Sequence, residues 1–129
     1  MENLKEKALK MHEENMGKLK VAGKVKVENE DDLTLAYSPG VAYPCLAIAE
    51  NSDDVYKYTN KSNFVAIVSN GTAVLGLGNI GARASIPVME GKSVLFKEFG
   101  AIDGFPICLD SEDPEEIINT VKMMEPVFG

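Results

Sequence analysis

The stretch FVAIVSNGTAVLGLGNIG, residues 64–81, carries the clearest local pattern in the chain. It opens with an apolar run, residues 64–68, of the kind found in strands that are buried on both faces. Asn70 and Gly71 form a favoured tight-turn pair, and residues 73–77 can return as a second strand. The pattern therefore predicts a β-hairpin in this part of the chain.

The end of the same stretch has a glycine spacing known from dinucleotide-binding folds. Gly76, Gly78 and Gly81 form G-x-G-x-x-G, which lets backbone N–H groups approach a pyrophosphate, and Glu98 follows about twenty positions later. Against this hypothesis, a hairpin precedes the loop where a βαβ unit needs a parallel strand, and only about 50 residues follow Gly81. The glycines can equally allow close packing of hairpin against helix, or line a small pocket. This pattern alone leaves both interpretations open.

Further elements are predicted on either side of this stretch. Apolar residues at helical spacing predict a helix from about Ala82 to Phe99, and FPICLD, residues 105–110, predicts a short buried strand. Asp113, followed by a proline and two glutamates, predicts a capped C-terminal helix. Residues 2–16 predict an amphipathic helix, and an alternating stretch after it predicts extended chain.

These elements predict a small mixed α/β domain. Its β-hairpin and short strands are packed by helices, and an N-terminal helix and extended arm precede them. We expect residues 1–30 to form this helix and arm, and residues 31–129 to form the globular domain. Because the arm has little to pack on locally, we expect it to reach across to a second subunit of a homodimer.

The bulk composition excludes several classes of function. With 129 residues, 45% hydrophobic and 26% charged, the chain suits one folded domain and is too short for a complete two-domain enzyme. Its net charge of −7 disfavours a nucleic-acid partner, and it has no run of about 18 apolar residues and no signal-peptide core. Cys45 and Cys108 lack the spacing of a zinc site and suit a reducing compartment. We therefore expect a cytoplasmic protein without a nucleic-acid or membrane partner.

Four motifs, taken together, resemble a known family. They are LAYSPGVAYPC at 35–45, VSNGTAVLGLGNIG at 68–81, IPVMEGKSVLFKEFG at 86–100 and FPICLD at 105–110. In this order and spacing they resemble the N-terminal domain of malic enzyme, most closely its short bacterial and archaeal form. The resemblance implies that a separate domain holds the dinucleotide, and that Gly76, Gly78 and Gly81 help to build the malate pocket.

The resemblance also implies which residues transfer protons. Malic enzymes oxidise malate to oxaloacetate with NAD or NADP, decarboxylate it on a divalent metal, and protonate the resulting enol to pyruvate. By resemblance, Lys92 of the PVMEGK motif is the general base and Tyr37 of the AYSPG motif is the general acid. A lysine amine accepts a proton only when neutral, a form that partial burial and a nearby Mg²⁺ or Mn²⁺ favour. Lys92 also shares a predicted apolar helix face with Val88 and Leu95, where a lysine without a role is costly.

The remaining site residues also follow from the resemblance. It implies substrate contacts at Ser38, Gly76, Gly78 and Asn79, with malate and pyruvate as ligands. The metal-binding carboxylates and the NAD(P)-binding domain of the family would follow residue 129. We therefore expect this chain to be an excised, truncated or stand-alone domain that is inactive without the C-terminal domain. We also expect that the chain by itself binds neither NAD(P) nor Mg²⁺ or Mn²⁺ tightly.

Two other functions remain open on the sequence. The chain could bind a dinucleotide through GLGNIG, residues 76–81, or act as a non-catalytic module in which residues 1–30 drive dimerisation. His12, the only histidine, has no metal-ligand partner at suitable spacing, and we expect no catalytic role for it.

Overall fold

The computed structural model describes residues 3–129, so residues 1 and 2, at the start of the chain, lie outside the described residues. The helices in this range are α1 (Leu4–Asn15), α2 (Glu30–Ala36), α3 (Ala42–Glu50), α4 (Val55–Tyr58), α5 (Gly81–Gly100) and α6 (Pro114–Met124). The strands are β1 (Phe64–Ser69) and β2 (Asp103–Cys108), and single 3₁₀ turns lie at Ser52–Asp54 and Asn60–Ser62. The mixed α/β class is thereby confirmed. None of the helices within residues 3–129 is long and apolar enough to cross a bilayer.

The chain divides into two compact units. Unit 1 comprises Met1–Leu19 and Asn63–Gly129, and unit 2 comprises Lys20–Ser62. The segment just after α1 contacts α5, where the Glu90 carboxylate accepts the backbone N–H of Lys18 at 3.0 Å. The predicted division of the chain at residue 30, with residues 1–30 as a dimer contact, stays a prediction.

The two strands form a parallel sheet, so the predicted β-hairpin is wrong. Phe64 pairs with Asp103 and the register continues to Ser69 opposite Cys108. A parallel pair needs a long crossover, which α5 provides. Residues 73–77 form no strand alongside β1, and only an isolated bridge joins Val74 to Gly78 there.

Gly71 explains why the chain does not turn back as a hairpin. Its carbonyl accepts the backbone N–H groups of Ile80 at 3.0 Å and Gly81 at 3.2 Å, which closes residues 71–81 into a loop. Gly71 has φ +73°, and a Cβ there would overlap the Gly81 carbonyl. The Asn–Gly pair thus begins a closed loop that leads into α5, and the apolar run of β1 pairs with a strand from further along the chain.

The predicted helix after the loop is confirmed, and it packs on the sheet through small side chains. The buried residues of α5 are Ala82, Ser85, Met89 and Ser93. The Ser85 and Ser93 hydroxyls donate to carbonyls of their own helix, so neither buried polar group is left unpaired. On β2, a Cβ at Gly104 would lie 3.0 Å from an Ile67 methyl and 3.3 Å from the Ser93 Cα. Gly104 therefore lets helix and sheet approach closely.

The apolar face predicted on α5, which includes Val88 and Leu95, is exposed and is not the face that packs on the sheet. Val88, Leu95 and Phe99 are 38%, 55% and 86% exposed. The exposed large residues and the buried small residues of α5 both recur at helical spacing. Because Gly104 lets the helix approach the sheet closely, the face with the small side chains is the one that packs. The larger apolar residues therefore flank the packed face.

The termini of α6 and α1 follow local capping rules. Asp113 accepts the N–H of Glu115 at 2.9 Å and Pro114 begins α6, which confirms the predicted cap. Asn3 and Glu6 form a reciprocal capping box at the start of α1.

Candidate active site

The carboxyl edge of the parallel sheet brings two loops together. In open α/β sheets ligands bind outside this edge. Here residues 70–80 follow β1 and residues 109–113 follow β2. The Asn70 amide donates to the Ser111 carbonyl at 3.1 Å, and its oxygen accepts the Thr72 N–H and hydroxyl at 3.2 and 2.7 Å. These bonds fix the start of the glycine loop against the loop that follows β2.

Asn79, a predicted substrate contact, makes a second tie between these loops. Its amide donates to a Glu112 carboxylate oxygen at 3.0 Å on the exposed surface. The sequence analysis did not identify Asn70, Ser111 or Glu112 as part of this edge. Asn70 could have been noticed through its turn pair with Gly71, but residues 111 and 112 carry no local signal for contact with residues 70–79.

The glycine loop presents its backbone openly. Gly76, Gly78 and Gly81 have φ of +76°, +71° and +80°, and a Cβ at any of them would meet no atom within 4 Å. Conformation therefore favours glycine here, rather than crowding by other residues of the chain. The structure places Gly76, Gly78 and Asn79 together in this loop, as the sequence analysis expected.

The loop differs from a dinucleotide fingerprint in two respects. In that fingerprint the first glycine follows the strand directly, in a tight turn. Here residues 70–75 separate β1 from Gly76, and Val74 and Gly78 bridge within the loop. Glu98, the candidate ribose contact, lies within α5 and not at the end of a second parallel strand. The geometry thus favours a pocket-forming loop over a dinucleotide-binding turn.

Lys92 lies near the middle of α5 on an exposed flank of the helix. Its neighbours along the chain at Met89 and Ser93 are buried, whereas Val88 and Leu95, one turn away on either side, are exposed. Among residues 3–129 the Lys92 amine has no hydrogen bond or ion pair. The amine is therefore accessible and surrounded on its own helix by uncovered apolar side chains.

Tyr37 lies at the C-terminal end of α2 in unit 2. Its N–H donates to the Leu33 carbonyl at 2.9 Å, and its carbonyl accepts the Val41 N–H at 2.8 Å. The backbone of Tyr37 is thus held on both sides, while its side chain is 68% exposed. Ser38 follows directly, is exposed, and precedes Pro39 through a cis peptide bond.

The acidic, histidine and cysteine side chains do not assemble a metal centre within residues 3–129. No group of three or more of them is placed to hold a metal ion. The His12 Nδ1 lies 2.8 Å from the Ala8 carbonyl, and its Nε2 lies 2.5 Å from the Lys18 amine. The described residues therefore do not fit a Mg²⁺ or Mn²⁺ site by themselves.

A surface cavity of about 440 Å³ lies beside the same edge of the sheet. Asp110, Ser111, Glu116 and Thr120 are among its lining residues, and none of the predicted site residues lines it. The Ser111 hydroxyl donates to the Glu116 carboxylate at 2.5 Å, which joins the loop after β2 to the first turn of α6. This cavity belongs to the packing of α6 beside the loop.

Comparison with known proteins gives a consistent family. The sequence profile of the malic enzyme N-terminal domain matches residues 16–124. The chain is 58% identical to the bifunctional malic/malolactic enzyme of Bacillus subtilis over 127 residues, 98% of this chain and 31% of that enzyme. It is 55% identical to an NADP-dependent malic enzyme of Salmonella typhimurium, over 99% of this chain and 17% of that enzyme. The crystal structure of malic enzyme from Pyrococcus horikoshii matches with a TM-score of 0.96 and 51% identity, over 98% of this chain and 30% of that one.

The chain thus spans 31% or less of the length of these relatives. The match to the family profile includes the segments around Tyr37, the glycine loop and Lys92. Both sequence and fold agree over nearly the whole chain. The chain therefore belongs to the family of malic enzyme N-terminal domains.

Proposed function

We propose that this domain supplies the general base and the general acid for the conversion of malate to pyruvate and CO₂ by a malic enzyme. Lys92 is the base and Tyr37 is the acid. The observation that carries the proposal is the family match over residues 16–124, which includes both residues and the motifs around them. The relatives with the same domain are named malic enzymes.

The chemistry assigns one proton transfer to each residue. The neutral Lys92 amine takes the hydroxyl proton of malate while the carbon-bound hydrogen leaves as hydride. Oxaloacetate then loses CO₂ to give the enolate of pyruvate, and the Tyr37 hydroxyl delivers a proton to its carbon, which gives pyruvate and a tyrosinate. The lysine ammonium then releases its proton and the tyrosinate takes one up, so that both residues regain their starting state.

The hydride acceptor in this proposal is NAD or NADP. Relatives are named NAD-dependent in some organisms and NADP-dependent in others. A divalent metal would hold the hydroxyl and carboxylate oxygens of malate. Since residues 3–129 form no metal cluster, we expect its ligands to come from outside the described residues.

The surroundings of Lys92 support its role as a base. Val88 and Leu95, which lie about one turn before and after Lys92 on the same helix, are exposed in this chain. A polypeptide surface that covered this side of α5 would remove water from it, and burial in general favours the neutral form of an amine. Tyr37 has an accessible phenol on a firmly held backbone, which suits a proton donor that must reach substrate.

The substrate contacts proposed for this domain are Ser38, Gly76, Gly78 and Asn79. The open space in front of the two glycines allows a small dicarboxylate to approach their backbone closely. Asn79 can contact malate if its amide exchanges its bond with Glu112 for one with substrate.

The chain alone is expected to have no malic enzyme activity. The described residues form no group that could hold a metal ion, and the side chains of Val88 and Leu95 beside Lys92 are exposed. Purified chain is assayed for NADH or NADPH formation with malate, Mn²⁺ and either nucleotide. Turnover by the pure chain would contradict this expectation.

A chimera tests the two catalytic assignments. The chain is fused in frame to the remaining part of the Bacillus subtilis malic/malolactic enzyme, and malate-dependent NAD(P)H formation is measured. In a working chimera, Lys92→Ala and Tyr37→Phe should each lower kcat by at least about a hundredfold, the usual share of general acid–base catalysis. Retained folding is checked by circular dichroism.

Matched controls separate chemistry from surface change. Tyr43→Phe alters a tyrosine that is 75% exposed, also in unit 2, and Lys122→Ala alters an exposed lysine on α6. Both controls should keep at least half of the parent activity. A working chimera in which Lys92→Ala or Tyr37→Phe behaves like its control would overturn that assignment.

The exposed apolar residues of the arm favour homodimerisation as a second role of this domain. Val21 and Val25 are 89% and 71% exposed, and Leu4 on α1 is 84% exposed. Exposed apolar residues such as Val21 and Val25, four positions apart in the arm, are typical of a surface that another polypeptide covers. We propose a second copy of the chain as that polypeptide.

A further inference from the structure

Asn70 is followed by a glycine, which makes its side chain chemically labile. Among the asparagines of the chain, only Asn70 precedes a glycine. Asparagine is a thermolabile residue. In an Asn–Gly pair the backbone nitrogen of the glycine can attack the side-chain amide carbon of the asparagine, because glycine has no side chain to hinder the approach. The Asn70–Gly71 pair is therefore the position in this sequence that most favours deamidation.

The reaction releases ammonia and consumes water. The Gly71 nitrogen gives its proton to solvent and forms a bond to the Asn70 Cγ, and the side-chain nitrogen takes up a proton and leaves as ammonia. The product is a succinimide ring. Water then opens the ring at either of its carbonyl carbons. Residue 70 becomes aspartate, or isoaspartate, in which the main chain runs through the side chain.

The structure holds the amide of Asn70 in place against this reaction. Its nitrogen donates to the Ser111 carbonyl at 3.1 Å, and its oxygen accepts the N–H and the hydroxyl of Thr72 at 3.2 and 2.7 Å. In ring closure the Cγ becomes tetrahedral and its nitrogen leaves. Ring closure therefore breaks the bond to Ser111 and displaces the amide oxygen from Thr72, at the cost of part-buried hydrogen bonds.

The attacking nitrogen of Gly71 is held as well. Its N–H donates to the Ser69 hydroxyl at 3.1 Å, and this is the proton that must be lost. Gly71 is buried, and its carbonyl accepts the N–H groups of Ile80 and Gly81. Because a Cβ at Gly71 would overlap the Gly81 carbonyl, the backbone has little room to turn here. The nitrogen can approach the Asn70 Cγ only when residues 71–81 open.

We propose that Asn70 is a deamidation site that the closed loop of residues 71–81 protects, and that the reaction proceeds when this loop opens locally. Segments of a folded protein open at a lower free-energy cost than global unfolding. When opening and closing are fast relative to a reaction of the open form, the rate follows the population of that form. The proposal stands independently of the roles of Tyr37 and Lys92.

The product prevents the loop from closing as before. An aspartate carboxylate has only acceptor oxygens, so it cannot donate to the Ser111 carbonyl. Isoaspartate adds a methylene group to the main chain before Gly71, which displaces the Gly71 carbonyl from Ile80 and Gly81. Deamidation thus converts a reversible opening of the loop into a lasting one.

Peptide mass spectrometry measures the reaction. The purified chain is kept at mildly alkaline pH, either folded or unfolded in urea, and is then digested with trypsin. Cleavage after Lys61 and Arg83 gives the peptide 62–83, whose fragments assign the mass gain of deamidation to residue 70. The reaction should be at least about tenfold slower in the folded chain. Equal rates, or no reaction at residue 70 in the unfolded chain, would overturn the proposal.

Two threonine variants test whether the closed loop provides the protection. Thr72→Val and Thr120→Val each remove one hydroxyl and keep the side-chain shape. The Thr72 hydroxyl donates to Asn70, whereas the Thr120 hydroxyl donates to the Glu116 carbonyl within α6. Thr72→Val should raise the rate in the folded chain by at least about threefold, the usual effect of one lost hydrogen bond. Thr120→Val should leave it unchanged, and equal folded rates for both variants would reject the loop as the protecting element.

Low concentrations of urea separate local opening from global unfolding. Local opening exposes little surface, so the rate at Asn70 should stay nearly constant below the unfolding transition. Circular dichroism gives the unfolded fraction of the same samples. A rate that rises in step with this fraction would show that the whole domain must unfold first, and would reject local opening.

The variant Asn70→Asp reproduces the aspartate product. The N–H groups of Ile80 and Gly81, which close the loop, should exchange with solvent at least about tenfold faster than in the parent chain. The N–H of Asp103, bonded at the other end of the sheet, should stay protected. Asn51→Asp, at an exposed asparagine, is the control and should change none of these rates. Unchanged exchange at Ile80 and Gly81 in Asn70→Asp would contradict a lasting opening.

Discussion

Gly71 and Gly76 show how two glycines of one loop differ in what they require. Both have positive φ, at +73° and +76°. A Cβ at Gly71 would overlap the carbonyl of Gly81, whereas a Cβ at Gly76 would meet no atom within 4 Å. Backbone strain is therefore common to both positions, and steric overlap is specific to Gly71.

The pair yields a stability prediction at the residue scale. Gly76→Ala should lower the free energy of unfolding by about 1–2 kcal/mol, the cost of a left-handed conformation for alanine. Gly71→Ala should lower it by more than about 3 kcal/mol, because the Gly81 carbonyl must move as well. Urea unfolding of both variants measures the difference. Equal losses in the free energy of unfolding would show that the Gly81 carbonyl can move away from a side chain at residue 71 at no cost.

At the scale of elements, the loops that follow β1 and β2 depend on two asparagines of unequal weight. Asn70 is part-buried and makes three hydrogen bonds, to the Ser111 carbonyl and to two groups of Thr72. Asn79 makes one exposed bond, to Glu112. Burial and number of bonds both make Asn70 the stronger tie.

Replacing each asparagine by alanine should separate their contributions. Asn70→Ala should destabilise the domain by about 1–3 kcal/mol, since it leaves the part-buried Ser111 carbonyl and the part-buried Thr72 N–H and hydroxyl without their partner. Asn79→Ala should cost less than about 1 kcal/mol, because water replaces its exposed bond. Thermal and urea unfolding provide the comparison. A larger loss of stability for Asn79→Ala would mean that the bond between Asn79 and Glu112, and not the bonds of Asn70, mainly joins the two loops.

At the scale of the whole molecule, the chain leaves unusually much apolar side-chain surface exposed. Among residues 3–129 the buried hydrophobic residues are Val74, Ala82 and Met89. Large apolar residues in the arm, in α1 and on the flank of α5 remain in contact with water. Exposed apolar side chains that lie side by side within one segment are typical of interaction sites. The arm is the segment in which we expect such a site.

The arm provides the prediction at this scale. Val21→Asp and Val25→Asp should each convert a homodimer into a monomer, because a buried carboxylate at the contact is costly. Sedimentation velocity at two concentrations measures the change. Leu75→Asp, at a residue 98% exposed in the glycine loop, is the matched control and should leave the dimer intact. A monomeric parent chain, or a dimer unaffected by the arm variants, would reject the arm as the contact.

The sequence by itself determined the elements whose signals are local. The α5 and α6 helices, the Asp113 cap and the strand that begins at Phe64 are where their patterns predict them. The strand predicted at residues 105–110 is found at Asp103–Cys108, two residues earlier. These signals act over one or two turns of chain, through side-chain period and capping hydrogen bonds. The motifs around Tyr37, the glycine loop and Lys92 likewise sufficed to indicate the family that the comparisons established.

The tertiary structure alone decided which elements meet and through which face. The hairpin interpretation failed because Gly71 closes the loop on itself and β1 pairs with a strand beginning at Asp103. The predicted apolar face of α5 is not the buried one. Gly104, on β2, allows the helix to approach the sheet closely, and the small side chains of α5 pack there instead of the large ones. Pairing partners and packed faces depend on contacts between residues far apart in the chain, and local periodicity carries no information about those contacts.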